Sequence, residues 1–353
     1  RKKAVHSSTS SSKVTGHWWK TLISGLLIAS TTLGGFEYYL AHKGFNGWSV
    51  DSAALWSAQR TRLSWSTNPI VLVGASRIQL GIHVNVLELL TGRPVFQLAI
   101  DGADFRPILG DLAADKNFRG TVIVSVQEHM LASMLNKRDR SRRWIEHYKQ
   151  AHKGRIAPTL EAILNAWYQV ISPYHSAEMG VYELFRRIIQ DKPTTIYLQT
   201  ATNRDRFADY SLVKQPQFYV ARVLRKLGNS QLIPDKFTLS QFDRYIKERI
   251  KLLPMASKKY LAANITLLKY FAQKIEDRGG KVIFLKMPTD KLVYAIDEAK
   301  YPKSFFWDDL AHNGLQTLHF QDIPGIVEFN LPDGSHLDMQ DKVKFTNLLY
   351  NKL

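Results

Sequence analysis

Three short runs of mostly aliphatic, β-branched residues constrain this chain more than any other feature. Asn68–Gly74 reads NPIVLVG, Pro94–Ile100 reads PVFQLAI and Gly120–Val126 reads GTVIVSV. Each is as short as a strand, and apolar residues run together in it with little alternation. That pattern belongs to strands buried on both faces, as in a parallel sheet covered by helices. Helices are expected between them, around His83–Leu90 and Phe105–Ala114, so the chain should run βαβαβ. The pattern resumes late. Helical Ser257–Gly280 ends in Gly279-Gly280 and feeds a strand at Lys281–Lys286. Further strands are expected around Leu318–Phe320 and at Gly325–Leu331. A last helix is expected over Met339–Leu353, with Asp338 as N-cap. The stretch from about 130 to 256 is mainly helical and basic. It reads as an insertion in one α/β domain, with a separate second domain as the alternative.

Composition narrows the partners. The 353 residues suffice for a sizeable core, and 45% hydrophobic with 22% charged residues is a globular balance. Lysine and arginine number 48 against 31 acids, a net charge of +17, which points to an anionic partner: nucleic acid, acidic glycan or lipid headgroups. Cysteine is absent, so disulfides, thiol catalysis and cysteine-bound zinc are excluded.

The N-terminal region sets the expected location. The sequence opens on Arg1 instead of Met, so a preceding segment is expected. Residues 1–17 form a Ser-rich basic tail, and Trp18–Leu40 follows as an apolar stretch. Its uncharged part, Thr21–Phe36, would span roughly 24 Å as a helix against about 30 Å for a bilayer core. Lys20 can snorkel, and Trp18, Trp19, Tyr38 and Tyr39 sit where interfacial aromatics belong. A single transmembrane helix is expected, with a buried helix or cleaved signal peptide as alternatives. Arg1, Lys2, Lys3, Lys13 and Lys20 precede it, which places the tail in the cytoplasm and the domain from residue 41 onward outside the inner membrane. That location disfavours nucleic acid.

In open α/β sheets the chemistry collects beyond the carboxyl ends of the strands. Reading those positions yields Gly74-Ala75-Ser76-Arg77, then IDGAD (Ile100–Asp104), SVQEH (Ser125–His129), KMPTD (Lys286–Asp290) and PDGSHLD (Pro332–Asp338). Ser76 enters a helix where backbone N–H groups can surround its hydroxyl. Asp333 and His336 stand three apart on a Pro- and Gly-marked turn. A carboxylate so placed can orient an imidazole, and an imidazole can activate a serine.

This combination resembles the SGNH/GDSL hydrolase superfamily over roughly Pro69–Leu353, less the insertion. The resemblance implies a flavodoxin-like three-layer sandwich. It implies Ser76 as nucleophile, His336 as base, Asp333 as orienting carboxylate, and an oxyanion hole from the Ser76 amide and Gly102. GASR replaces the family's GDS sequence, and the third-block Asn is missing; Gln127 is the available donor there. The chain looks more like membrane-anchored members, such as the alginate acetylation proteins and the lipoteichoic-acid D-alanylation accessory protein, than like secreted lipases. That branch implies O-acyl transfer or ester hydrolysis on an exported polysaccharide beside a membrane-bound O-acyltransferase, without a cofactor. A non-catalytic glycan-binding or scaffold subunit of a polysaccharide secretion or modification complex is the alternative.

Other motifs are absent: no G-x-S-x-G elbow, Walker A, H-E-x-x-H or G-x-G-x-x-G occurs. His129 beside Glu128 reads as a polar strand end and not a metal site. Asn136–Arg155 holds eight Lys/Arg against two acids, with Trp144 and Tyr148 among them. It is either a solvated face or an anion-binding one. In the second case Arg142, Arg143 and Trp144, with Arg77 near the nucleophile, would hold the substrate.

Overall fold

A computed structural model describes residues 17–176, 180–193, 196–228 and 238–353. The expected cytoplasmic tail, 1–17, lies outside the described residues except for His17. After α1 (Trp18–His42) and α2 (Ala53–Leu63) the chain enters β1 (Ile70–Val73). It passes through α3 (Ser76–Gly81) and α4 (Val84–Thr91) to β2 (Val95–Gln97), then through α5 (Arg106–Ala114) to β3 (Thr121–Ser125). The insertion contributes α6 (Glu128–Leu131), α7 (Arg140–His147), α8 (Ile156–Ile171) and α9 (Val181–Ile189). It continues with β4 (Leu198–Thr200), β5 (Arg206–Ala208), α10 (Gln217–Leu227) and α11 (Leu239–Lys251). The sheet resumes through α12 (Leu261–Glu276), β6 (Lys281–Lys286), α13 (Lys291–Lys300), α14 (Lys303–Phe306), α15 (Asp308–His312), β7 (Thr317–His319) and α16 (Lys342–Tyr350).

Five parallel strands form the main sheet in the order β2-β1-β3-β6-β7. This is the doubly wound order in which the chain reverses direction across the sheet at β1, opening a crevice beyond β1 and β3. The sheet is buried on both faces because side chains alternate along each strand. Val71 and Val73 enter one core with Trp56 of α2, Leu109 of α5 and Leu268 of α12. Ile70 and Leu72 enter the other with Ile78 of α3, Leu87 of α4 and Phe345 of α16. Each such side chain contributes about 1.5–3 kcal/mol on burial.

The insertion is bound into this framework. Val223, Leu224, Phe242 and Ile246 of α10 and α11 share a small core with Val293 and Ile296 of α13. Arg204, in the turn of the unexpected antiparallel β4–β5 hairpin, is fully buried and donates to the carbonyls of Gln97 (2.6 Å) and Ala99 (2.9 Å).

Three expectations need correction. Gly325–Leu331 is not a strand: Gly325 takes φ +82°, and a 3-10 turn follows at Ile326–Glu328. The last helix starts at Lys342, because the Asp338 carboxylate instead accepts from the amides of Tyr210 (3.1 Å) and Gln340 (2.9 Å). The third concerns the membrane span. α1 forms near the expected bounds, but no helix among the described residues is long and apolar enough to cross a membrane. Ser24, Gly25, Ser30, Thr31, Thr32, Gly34 and Gly35 dilute its aliphatic residues, and the Glu37 carboxylate near its end accepts a hydrogen bond from Ser172.

Buried His319, at the end of β7, gives the fold a pH dependence. Burial first, then Lys286 and Lys303, push its ring down to about 4. The unfolded ring titrates near 6.5. The unfolded chain therefore takes up a proton that the native one refuses. Stability should be intact above about pH 6.5 and fall by up to about 3 kcal/mol toward pH 4. His319→Asn should flatten that slope in urea titrations across this window; an unchanged slope would place the proton uptake elsewhere.

Candidate active site

The β1–α3 turn is built around Gly74. It takes φ +154°, and a Cβ there would lie 2.8 Å from Ile78 Cγ2 and 2.9 Å from Ser125 Cβ. Only glycine lets the turn close against β3. The chain then passes Ala75 in extended conformation and starts α3 at Ser76, whose side chain is half-buried at the crevice.

The second half of the site comes from the far end of the sequence. Asp333 is 1% exposed and organises its own turn. Its Oδ1 accepts from the backbone amides of Ser335 (3.0 Å) and His336 (2.9 Å), and its Oδ2 meets His336 Nδ1 at 2.7 Å. The other ring nitrogen, Nε2, lies 2.8 Å from Ser76 Oγ. Serine, histidine and aspartate thus form one hydrogen-bonded chain across 260 residues of sequence. Burial pushes the Asp333 carboxyl up, but the His336 ring, the two amides' turn and Arg222 outweigh it and hold the group below the usual carboxylate range. Asp333 therefore stays ionised and can fix the imidazole with Nδ1–H toward itself and Nε2 toward the serine.

Two contacts to Asp333 escaped the sequence reading. Arg222 Nε of α10 stands 3.5 Å from Oδ2. Tyr210 also faces the carboxylate; burial and then Asp333 raise its hydroxyl far above the ordinary tyrosine value. Both residues belong to the insertion. No motif marks them, and the only signal was a helix with basic residues on one side.

A cleft of about 390 Å³ contains Ser76, Asp333 and His336, with Arg77, Gln127, His129, Arg222, Arg225, Lys226, Lys300 and Tyr301 among its walls. Arg77 and Gln127 are where the sequence placed them. His129 belongs to this wall as well; partial loss of hydration, then Lys226 and Arg77, lower its ring below the ordinary histidine value. Gly102 is not among the lining residues. It occupies an exposed turn at φ +64°, beside Asp101, whose carbonyl accepts from Arg140 at 2.9 Å.

The expected substrate-binding trio is also elsewhere. Arg142 and Arg143 are exposed on α7, outside the cleft, and Trp144 packs against the core with the Arg204 guanidinium 5.4 Å from its ring. Burying Ser141 and Ile145 turns that helix so that Trp144 packs against the core. A larger cleft, about 710 Å³, lies on another side of the catalytic loop, with Tyr219, Tyr294, Phe320 and Phe329 in its lining. It contains no member of the hydrogen-bonded chain. Among the described residues no group of three or more His, Asp or Glu is arranged to hold a metal.

Beneath the cleft, buried Asp297 of α13 gathers three cations: Lys226 at 2.7 Å, Arg77 at 3.8 Å and Lys286 at 3.9 Å. Burial raises its carboxyl, yet these charges bring it down to about 2. Lys286 also pairs with Glu128. Compared with protein-family models and with curated proteins, the chain matches none.

Gly74→Ala tests the turn. It should cost about 1–3 kcal/mol in chemical denaturation through the strained φ and the two contacts. A variant as stable as the parent would mean that the turn relaxes without disturbing Ser76.

Proposed function

We propose that this protein is a serine-dependent acyltransferase or esterase of SGNH type, acting on O-acyl groups, acetyl above all, of an exported or cell-surface polysaccharide. The observation that supports it most is the unbroken chain from Ser76 Oγ through His336 to a buried, ionised Asp333. His336 Nε2 takes the serine proton as Oγ bonds to the ester carbonyl carbon. The tetrahedral intermediate then breaks its bond to the alcohol oxygen, which leaves with that proton. The resulting acyl-serine passes its acyl group to a sugar hydroxyl or to water, with His336 again as base and then acid. The Ser76 amide and the Gln127 side chain are the proposed donors to the oxyanion, since Gly102 stands outside the cleft. This chemistry calls for no cofactor.

The transferase half and the partnership with a membrane-bound O-acyltransferase rest on the resemblance alone. An extracytoplasmic, membrane-attached location belongs to the same proposal. Its support is the apolar surface of α1, where Leu22, Leu26, Leu27 and Ile28 are each more than 60% exposed.

A fluorophosphonate probe tests the serine. The parent should label at Ser76, and Ser76→Ala and His336→Ala should each stay dark while keeping native circular dichroism. The two losses should not add, because the residues act as a unit. Asp333→Asn should label slowly, since it upsets the tautomer without removing the base. A dark parent would favour the alternative, a non-catalytic scaffold. For the location, the protein expressed in its host should sediment with membranes at physiological salt; recovery wholly in the soluble fraction would end that part of the proposal.

A further inference from the structure

The walls of the catalytic cleft are far from electrically neutral. Five permanent cations line it, Arg77, Arg222, Arg225, Lys226 and Lys300, against a single carboxylate, Asp333. Asp333 is already engaged by His336 and Arg222. Asp297 lies behind the wall and is shared by Arg77, Lys226 and Lys286. Glu128, the other carboxylate nearby, pairs with Lys286. Positive charge is left over after all these pairs are assigned.

The surplus is concentrated on α10. Arg222, Arg225 and Lys226 lie three and four residues apart, so their side chains share one face of the helix. Like charges at this spacing destabilise a helix, so the arrangement works against α10 unless something neutralises it. Arg222 reaches Asp333, Lys226 reaches Asp297, and Lys300 donates to the Lys226 carbonyl at 3.1 Å. Arg225 is exposed, and among the described residues its guanidinium has no partner. Arg77, which directly follows the serine, lines the same cleft.

We infer that the cleft binds an anionic oxygen group, carboxylate or phosphate, on the substrate beside the ester, with the Arg225 guanidinium as its principal ligand and Arg222 and Lys226 supporting it. The inference rests on the serine-enzyme proposal and names its substrate class. A guanidinium meets either anion through two parallel N–H donors. Arg225 is exposed at the cleft, so its attraction for the anion is open to screening by salt. The basic segment that looked most like an anion site in the sequence, Arg142 and Arg143, has no part in it. The site belongs to α10.

The test uses three acetate esters of the same shape, bearing a carboxylate, a phosphate or an uncharged carboxamide. At low salt the parent should turn over at least one charged ester with kcat/KM at least tenfold above the carboxamide. Arg225→Glu should reduce that ratio at least tenfold and Arg225→Gln by a smaller factor, and 0.5 M salt should shrink it in the parent. Which charged ester wins identifies the anion. A ratio near one in the parent, or a preference kept by Arg225→Glu, would overturn the inference. If no ester reacts and the fluorophosphonate probe stays dark, the serine-enzyme proposal has failed. The anion site is then read directly, by calorimetric titration of Ser76→Ala protein with tetragalacturonate, its methyl ester and a glycerol phosphate oligomer. Binding of a charged oligomer, weakened tenfold or more by adding Arg225→Glu, would uphold the site. Equal binding of the methyl ester, or no binding of any, would end it.

Discussion

Parallel pairing is the constraint on which everything else in this protein depends. Strands that all run the same way leave the sheet at one edge, and each must return through a crossover that covers a face. Five such strands, with β1 in the second position, bring the ends of β1 and β3 together beyond the same edge. Ser76 follows β1, and Gln127 and His129 follow β3. They meet in one cleft because the sheet allows its exits nowhere else. The apolar continuity of the strands, which made them recognisable, is the price of being covered on both faces.

Within that frame the decisive local feature is a buried carboxylate that is fully supplied with donors. A lone carboxylate at 1% exposure would be expected to protonate. Asp333 avoids this because two backbone amides of its own turn, the His336 ring and Arg222 all face it. The same hydrogen bonds that keep it ionised also close the turn and set the imidazole's direction. Electrostatics and backbone geometry are one arrangement here, so removing the carboxylate would loosen the loop as well as the base.

The insertion completes the cleft. α10 packs on α13 through Val223, Leu224 and Ile296, and this seating carries Arg222, Arg225 and Lys226 to the catalytic loop. Tyr210, just beyond the β4–β5 hairpin, reaches Asp333 from the same side. α13 supplies the buried Asp297 that lets Arg77 and Lys226 stand close to one another. The charge on this face is therefore partly compensated from below and open from above.

The alternation of strands and helices was legible in the sequence, as were Ser76, Asp333 and His336, because burial on two faces and a three-residue turn are local properties of composition and spacing. Lys281–Lys286 came out at its expected bounds for that reason. Gly325–Leu331 did not, because an apolar run bends into a turn when its first glycine takes a left-handed φ, and pairing partners decide whether it can be a strand. Trp144, a candidate substrate residue in the sequence, packs against the core, and Gly102 lies outside the cleft, since spacing says nothing about which way a helix is rolled or a turn faces. The 2.8 Å contact between Ser76 and His336, and the gathering of Arg222, Arg225 and Lys226 around it, were decided only by tertiary structure. Sequence determines what each strand end carries; the packing of distant helices determines which of those ends share a cleft.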